Sequence, residues 1–142
     1  MTPQEIYDTV AMALIAQGRP SAVDGDGRIN CVYAAPDGAR CAVGHLMNDE
    51  EINAYGNFEG DISALLKCDE WRGGRMRPLF HDEGYFLKDL QHDHDTYVGL
   101  TDEWLDRWKQ AMRDTARRYD LNDAVLNESG PVMAAETNEA VS

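Results

Sequence analysis

Apolar and polar positions follow two different periods along this chain, and the changes of period divide it into elements. Ile6, Val10, Ala13 and Leu14 recur at helical spacing. Thr2 stands where an N-cap belongs, Pro3 at the first helical residue, and Glu5 three residues on completes a capping box. Gly18 ends the helix. After a polar loop over residues 19–28 the period shortens to two: Ile29, Cys31 and Tyr33, then Cys41 and Val43. Between them Pro36 and Asp37 suit the centre of a type I turn, and Gly38 a left-handed position. This predicts a β-hairpin over 29–43 with a three-residue loop. Its register sets Ala35 opposite Ala39, Tyr33 opposite Cys41 and Cys31 opposite Val43. Two strands are marginal alone, so the shared face is expected to pack on helices.

Further on, Asn48 is placed to cap a short helix whose first residues, Asp49, Glu50 and Glu51, favour its positive end. Residues 61–67 predict another short helix, and Trp71 to Pro78 a basic loop. From Asp82 to Tyr97 a longer helix carries Phe86, Leu90, His94 and Tyr97 on one face. The last helix starts at Thr101 as N-cap and carries Trp104, Trp108, Ala111 and Met112, widened by Leu105, Thr115 and Tyr119. The expected fold class is α+β and mostly helical, one β-hairpin at 29–43 packed against four to five helices. Residues 1–126 form a single globular domain, and 127–142, polar and small, a mobile acidic tail.

Composition adds location and partner class. With 142 residues, the chain buries roughly 70% of its unfolded surface, enough for a core without covalent staples. No apolar run reaches the roughly 18–20 residues of a membrane span, and the N-terminus does not read as a signal peptide. Three cysteines, an odd number, fit a reducing compartment, so the expected location is cytoplasmic. The net charge of −13 is clustered. Asp49, Glu50, Glu51, Glu59 and Asp61 lie in 41–66 with no Lys or Arg; Asp89, Asp93, Asp95, Asp102, Glu103 and Asp106 lie in 89–106 likewise; 120–142 is a third such stretch. That field repels phosphate, so direct nucleic-acid binding is disfavoured and a protein with a basic surface is the expected partner. The candidate contacts are Asp49, Glu50 and Glu51 together with the six carboxylates of 89–106.

Candidate chemistry is sparser. Cys31, Cys41, His45 and Cys68 have zinc-type ligand chemistry, but the tight Cys-x2-4-Cys pairing of a zinc knuckle is missing, so no metal and no cofactor is expected. Cys31 and Cys41 read instead as small hydrophobes on the buried hairpin face. Asp24-Gly25-Asp26-Gly27 resembles part of a calcium loop, yet both essential end carboxylates are absent. Cys41, His94 and Asp95 compose a drawable nucleophile, base and orienter for a small hydrolase. Adjacent residues point about 100° apart on a helix, which sets Asp95 away from His94. His94 on the apolar stripe reads as a core histidine, with Asp93 and Asp95 facing solvent.

Several strings resemble a family of small proteins of unassigned activity encoded by bacteriophages, prophages and their hosts. They are Cys31-Val32-Tyr33, Pro36-Asp37-Gly38, Cys41-Ala42-Val43-Gly44-x-Leu46-Met47 with Asp49-Glu50, Ile6-Tyr7-Asp8-x-Val10 with Gln17, and Leu90-Gln91-x-x-His94-Asp95. The final Trp-containing helix, ending near Tyr119-Asp120-Leu121, follows in the same order. The likeness spans residues 5–122; the Trp71–Pro78 stretch and the tail after Asn127 depart from it. It implies a cytoplasmic accessory protein of a bacterial host cell. The expected function is therefore a non-enzymatic acidic protein, a phage or prophage accessory factor that binds, or binds and inhibits, a host protein through an acidic surface. The alternatives are the Cys41/His94 hydrolase or metal-supported domain, and a virion or assembly component.

Overall fold

The structure, a computed structural model, describes residues 2–25, 28–55, 77–99 and 102–127; of residues 23–25, 28–31, 55 and 77–84 it describes the backbone alone. Helix α1, Pro3–Gln17, is delimited as its sequence requires. The Glu5 N–H donates to Thr2 Oγ1 at 3.1 Å, and the Thr2 N–H to Glu5 Oε1 at 2.7 Å. At the far end Gly18 takes φ +74° and its N–H reaches the Leu14 carbonyl at 2.8 Å. Ile6, Tyr7, Val10, Ala11, Leu14 and Ile15 are buried.

Helix α2, Asp49–Tyr55, begins with Asn48 and Glu51 exchanging side chain-to-backbone bonds, each 2.8 Å. Helix α3, Arg77–Asp95, starts five residues before the expected Asp82 and stops two before Tyr97, with Pro78 in its first turn, where a missing N–H is tolerated. Helix α4, Trp104–Arg118, buries Trp104, Trp108, Met112, Thr115 and Ala116. Its expected cap, Thr101, lies outside the described residues, as do the 61–67 helix, most of the 71–78 loop and all of the tail beyond Asn127.

α3 packs on α4 and on α1, while α1 also packs against two 3-10 turns, Gly44–Leu46 and Ala124–Asn127. The core lies among these elements, led by Trp104, Trp108, Tyr7, Ile6, Leu14, Leu87 and Leu90, all under 2% exposed. Trp104 and Trp108 stack at 5.5 Å with planes 9° apart, and Tyr7 Oη donates to the Met112 carbonyl at 2.8 Å, tying α1 to α4.

The hairpin expected over 29–43, packed against helices, is not formed, so the α+β assignment is corrected: the described chain is helical, with four α-helices. The Pro36–Gly38 turn is present, with Gly38 at φ +93°, and Ala35 N–H meets the Ala39 carbonyl at 2.8 Å. Pairing stops after one bridge, Ala34 with Arg40. Two competitors end it. Val43 N–H, assigned to Cys31, donates instead to Gln91 Oε1 of α3 at 3.0 Å. Cys31 is opposite Ala22, in a four-residue backbone ribbon joining Ala22–Gly25 to Arg28–Cys31. The outer edge of Arg40 is taken by the Gln17 amide, which accepts from Arg40 N–H at 2.8 Å and donates to its carbonyl at 3.0 Å. After Cys41 the chain turns into Gly44–Leu46 rather than continuing as a strand. Among the described residues no helix is long and apolar enough to cross a membrane.

Candidate functional site

Two of the residues with catalytic chemistry, His94 and Asp95, meet at the C-terminus of α3, and Gln91 of the same helix bonds Val43 in the 39–46 segment that carries Cys41. His94 is fully buried. Its Nε2 accepts the Ser21 backbone N–H at 2.9 Å, so the ring hydrogen sits on Nδ1, which faces Asp95 Oδ1 at 2.7 Å. Asp95 therefore orients His94 after all. Backbone vectors 100° apart fix where two side chains start and not where their tips arrive, and at the last turn of a helix the tips are free to close. Gln91 Nε2 also donates to Asp95 Oδ1, at 2.9 Å. The His94 carbonyl, one of the orphan acceptors at the helix end, accepts from Trp104 Nε1 at 2.9 Å.

This wiring decides what the cluster does. A general base needs a ring nitrogen aimed at the nucleophile's proton. Both nitrogens of His94 are already committed, one to backbone and one to carboxylate. Cys41 is fully buried, and its Sγ accepts the Gly44 N–H at 3.3 Å. Burial pushes its thiol up to about 12, with Asp95 adding to the rise, the reverse of an activated thiolate. The network joins the loop at Ser21, the end of α3, the 39–46 segment and α4 into one piece. Its chemistry is that of a clasp.

His45 lies at the other side of the same segment, its Nε2 2.9 Å from Gln17 Oε1. Burial, then the nearby Arg40 and His94, push it down to about 4, so it is held neutral. Of the other zinc-type residues, Cys68 and the Cys31 side chain lie outside the described residues. Among the described residues no three His, Cys, Asp or Glu side chains are grouped to hold a metal.

The acidic residues fall into two sets. Asp89 accepts from Arg118 Nη1 at 3.0 Å and from the Tyr119 hydroxyl. Asp93, expected at the surface, is only 5% exposed and accepts from Thr115 Oγ1 at 2.6 Å. Asp95 belongs to the His94 clasp. Those three are bonded to groups of the protein itself. Asp102, Glu103 and Asp106 are exposed around the first turn of α4, as are Asp49 and Glu50 on α2, while Glu51 is half-buried and caps that helix. Asp102, Asp106 and Glu50 have no bonding partner among the described residues; Glu103 and Asp49 make only long contacts, to Arg107 at 3.4 Å and Arg40 at 3.5 Å.

Sequence reasoning missed the glutamines. Gln17 bonds Arg40 and His45 across the fold and Gln91 bonds Val43, and their one visible signal is a long amide placed beside the apolar stripe of its helix. A shallow cavity of about 450 Å³, lined by Gln4, Asp8, Met12, Asn122, Ala124 and Val125, lies apart from the clasp along the outer face of α1. Compared with known protein families, curated proteins and solved structures, the chain matches none of them.

Proposed function

We propose that this chain is a non-enzymatic interaction protein of a phage or prophage, acting in the bacterial cytoplasm by binding a basic surface of a host protein through exposed carboxylates. The observation that carries the reading is the division among the acidic residues. Asp89, Asp93 and Asp95 are bonded internally, whereas Asp102, Glu103 and Asp106 stand exposed at the start of α4. Arg107 pairs with Glu103 with both side chains more than half exposed. A pair of that kind contributes about 0.5 kcal/mol, so exchanging it for an intermolecular partner costs little. Complementary charge of this sort speeds encounter and selects the partner more than it tightens the complex.

The test compares the wild-type chain with the triple variant D102N/E103Q/D106N, each immobilised and exposed to bacterial lysate at low and at high salt. Matching thermal unfolding of the two chains is the control for fold. Expected is a protein retained by the wild type at low salt, released at high salt, and retained at least tenfold less by the variant. Equal retention by both chains, or no salt-sensitive retention at all, would overturn the reading.

A further inference from the structure

Asp93 sits where α3 crosses α4 with 5% of its surface exposed, and its only bonding partner among the described residues is the Thr115 hydroxyl, 2.6 Å from Oδ2. Thr115 is itself fully buried. A buried carboxylate normally carries a cation or several donors, because removing an unpaired charge from water is costly. Here the available cation is used elsewhere. Arg118 places Nη1 3.0 Å from Asp89 Oδ2 and only brushes Thr115 Oγ1, at 3.4 Å. The other groups that bear on Asp93 come from every element packed around it: Asp89 on α3, Asp114 on α4, Tyr119 just after it, and Tyr7 on α1, whose hydroxyl is committed to the Met112 carbonyl. Two of these are carboxylates, and they repel a second negative charge.

We propose that Asp93 is a proton-binding site built into the α3–α4 interface, taking up a proton from solvent as the protein folds, so that the helix pair is held more tightly in mildly acidic than in mildly alkaline solution. Protonated, the carboxyl leaves no uncompensated charge between the helices. Ionised, it keeps one hydroxyl donor and, among the described residues, no direct ion pair, Arg118 acting on it only from a distance.

The direction of the effect follows from linkage. Burial raises the folded-state carboxyl to about 7, against the opposing pull of Thr115 and Arg118, whereas in an unfolded chain it titrates at about 3.9. The folded state then binds the proton more tightly. The stabilisation is complete below the unfolded value and is lost as pH rises through the folded one.

D93N, neutral at every pH and of the same shape, tests this by urea unfolding at pH 6 and pH 8.5. Relative to D93N, the wild-type folding equilibrium constant is expected to fall about tenfold between those two values, because the tenfold-per-unit slope runs between the unfolded and folded midpoints and flattens above about 7. A ratio constant within about threefold would contradict the proposal, since a single titrating group must follow that slope. Should D93N not fold, carboxyl-carbon NMR of the wild-type chain decides. A midpoint near 7 for Asp93, moving higher in T115V, supports the site, and a midpoint near 4 removes it.

Discussion

Gly44 is held to glycine by its surroundings. A Cβ built there would lie 2.0 Å from the Tyr33 carbonyl oxygen, and that oxygen is backbone, unable to move aside as a side chain could. The same residue donates its N–H to Cys41 and accepts the Met47 N–H at 3.2 Å. G44A should therefore cost about 3 kcal/mol of unfolding free energy. Gly38, with φ +93° and open space around its Cβ position, should lose only about 1 kcal/mol as G38A, the conformational part alone. Urea midpoints of the two variants check this ordering. In the sequence, Gly44 was readable as the end of a strand. That it marks a close approach was not, because the oxygen it must clear comes from eleven residues away.

Among the elements, the helices were legible because their signals are local. Thr2, Glu5 and Gly18 delimit α1 without outside help, and the Trp104–Trp108–Met112 stripe is complete within α4. The hairpin was misread because its competitors lie outside it: Gln91 takes the Val43 N–H from α3, and Ala22 takes the place opposite Cys31. Asp93 was misplaced for a different reason. It follows Leu90 by three residues and precedes Tyr97 by four, so spacing admits it to the buried stripe as readily as His94, and only its polarity argued for solvent. If Gln91 is what docks the 39–46 segment onto α3, then Q91L leaves the Val43 N–H and an Asp95 oxygen each short of a bond. The expected cost is about 2–3 kcal/mol, with the helical circular dichroism preserved. The corresponding change at Gln4, whose bonds to Asn122 are solvent-exposed, should stay within about 1 kcal/mol.

At the scale of the whole molecule, the net charge of −13 concealed two buried titrations of opposite sense. His45, pushed down to about 4, resists protonation in the fold, so its contribution to stability falls as pH drops below the unfolded histidine value of about 6.5. Asp93, pushed up to about 7, gains over the same interval. Between about pH 4 and 6.5 the folded chain holds one extra proton at Asp93 and lacks one at His45, so the two slopes cancel in the wild type. D93N, stripped of the compensating group, should lose stability as pH falls through that range, a second signature beside its alkaline one. The charge that remains for a partner is local, at the starts of α4 and α2. The candidate site was legible only in part: His94 and Asp95 pair, Cys41 lies on the segment that Gln91 ties to the same helix, and their bonding turns them inward.

Peptide-resolved alkylation of native Cys41 bears most directly on whether that arrangement is scaffold or active site. A fully buried thiol with its sulfur bonded to the Gly44 N–H and its ionisation pushed up to about 12 should label at mildly alkaline pH only as fast as the protein opens, and rapidly once unfolded in urea. Fast labelling of Cys41 in the folded chain, slowed by replacing His94, would contradict a structural role and return the pair to catalysis.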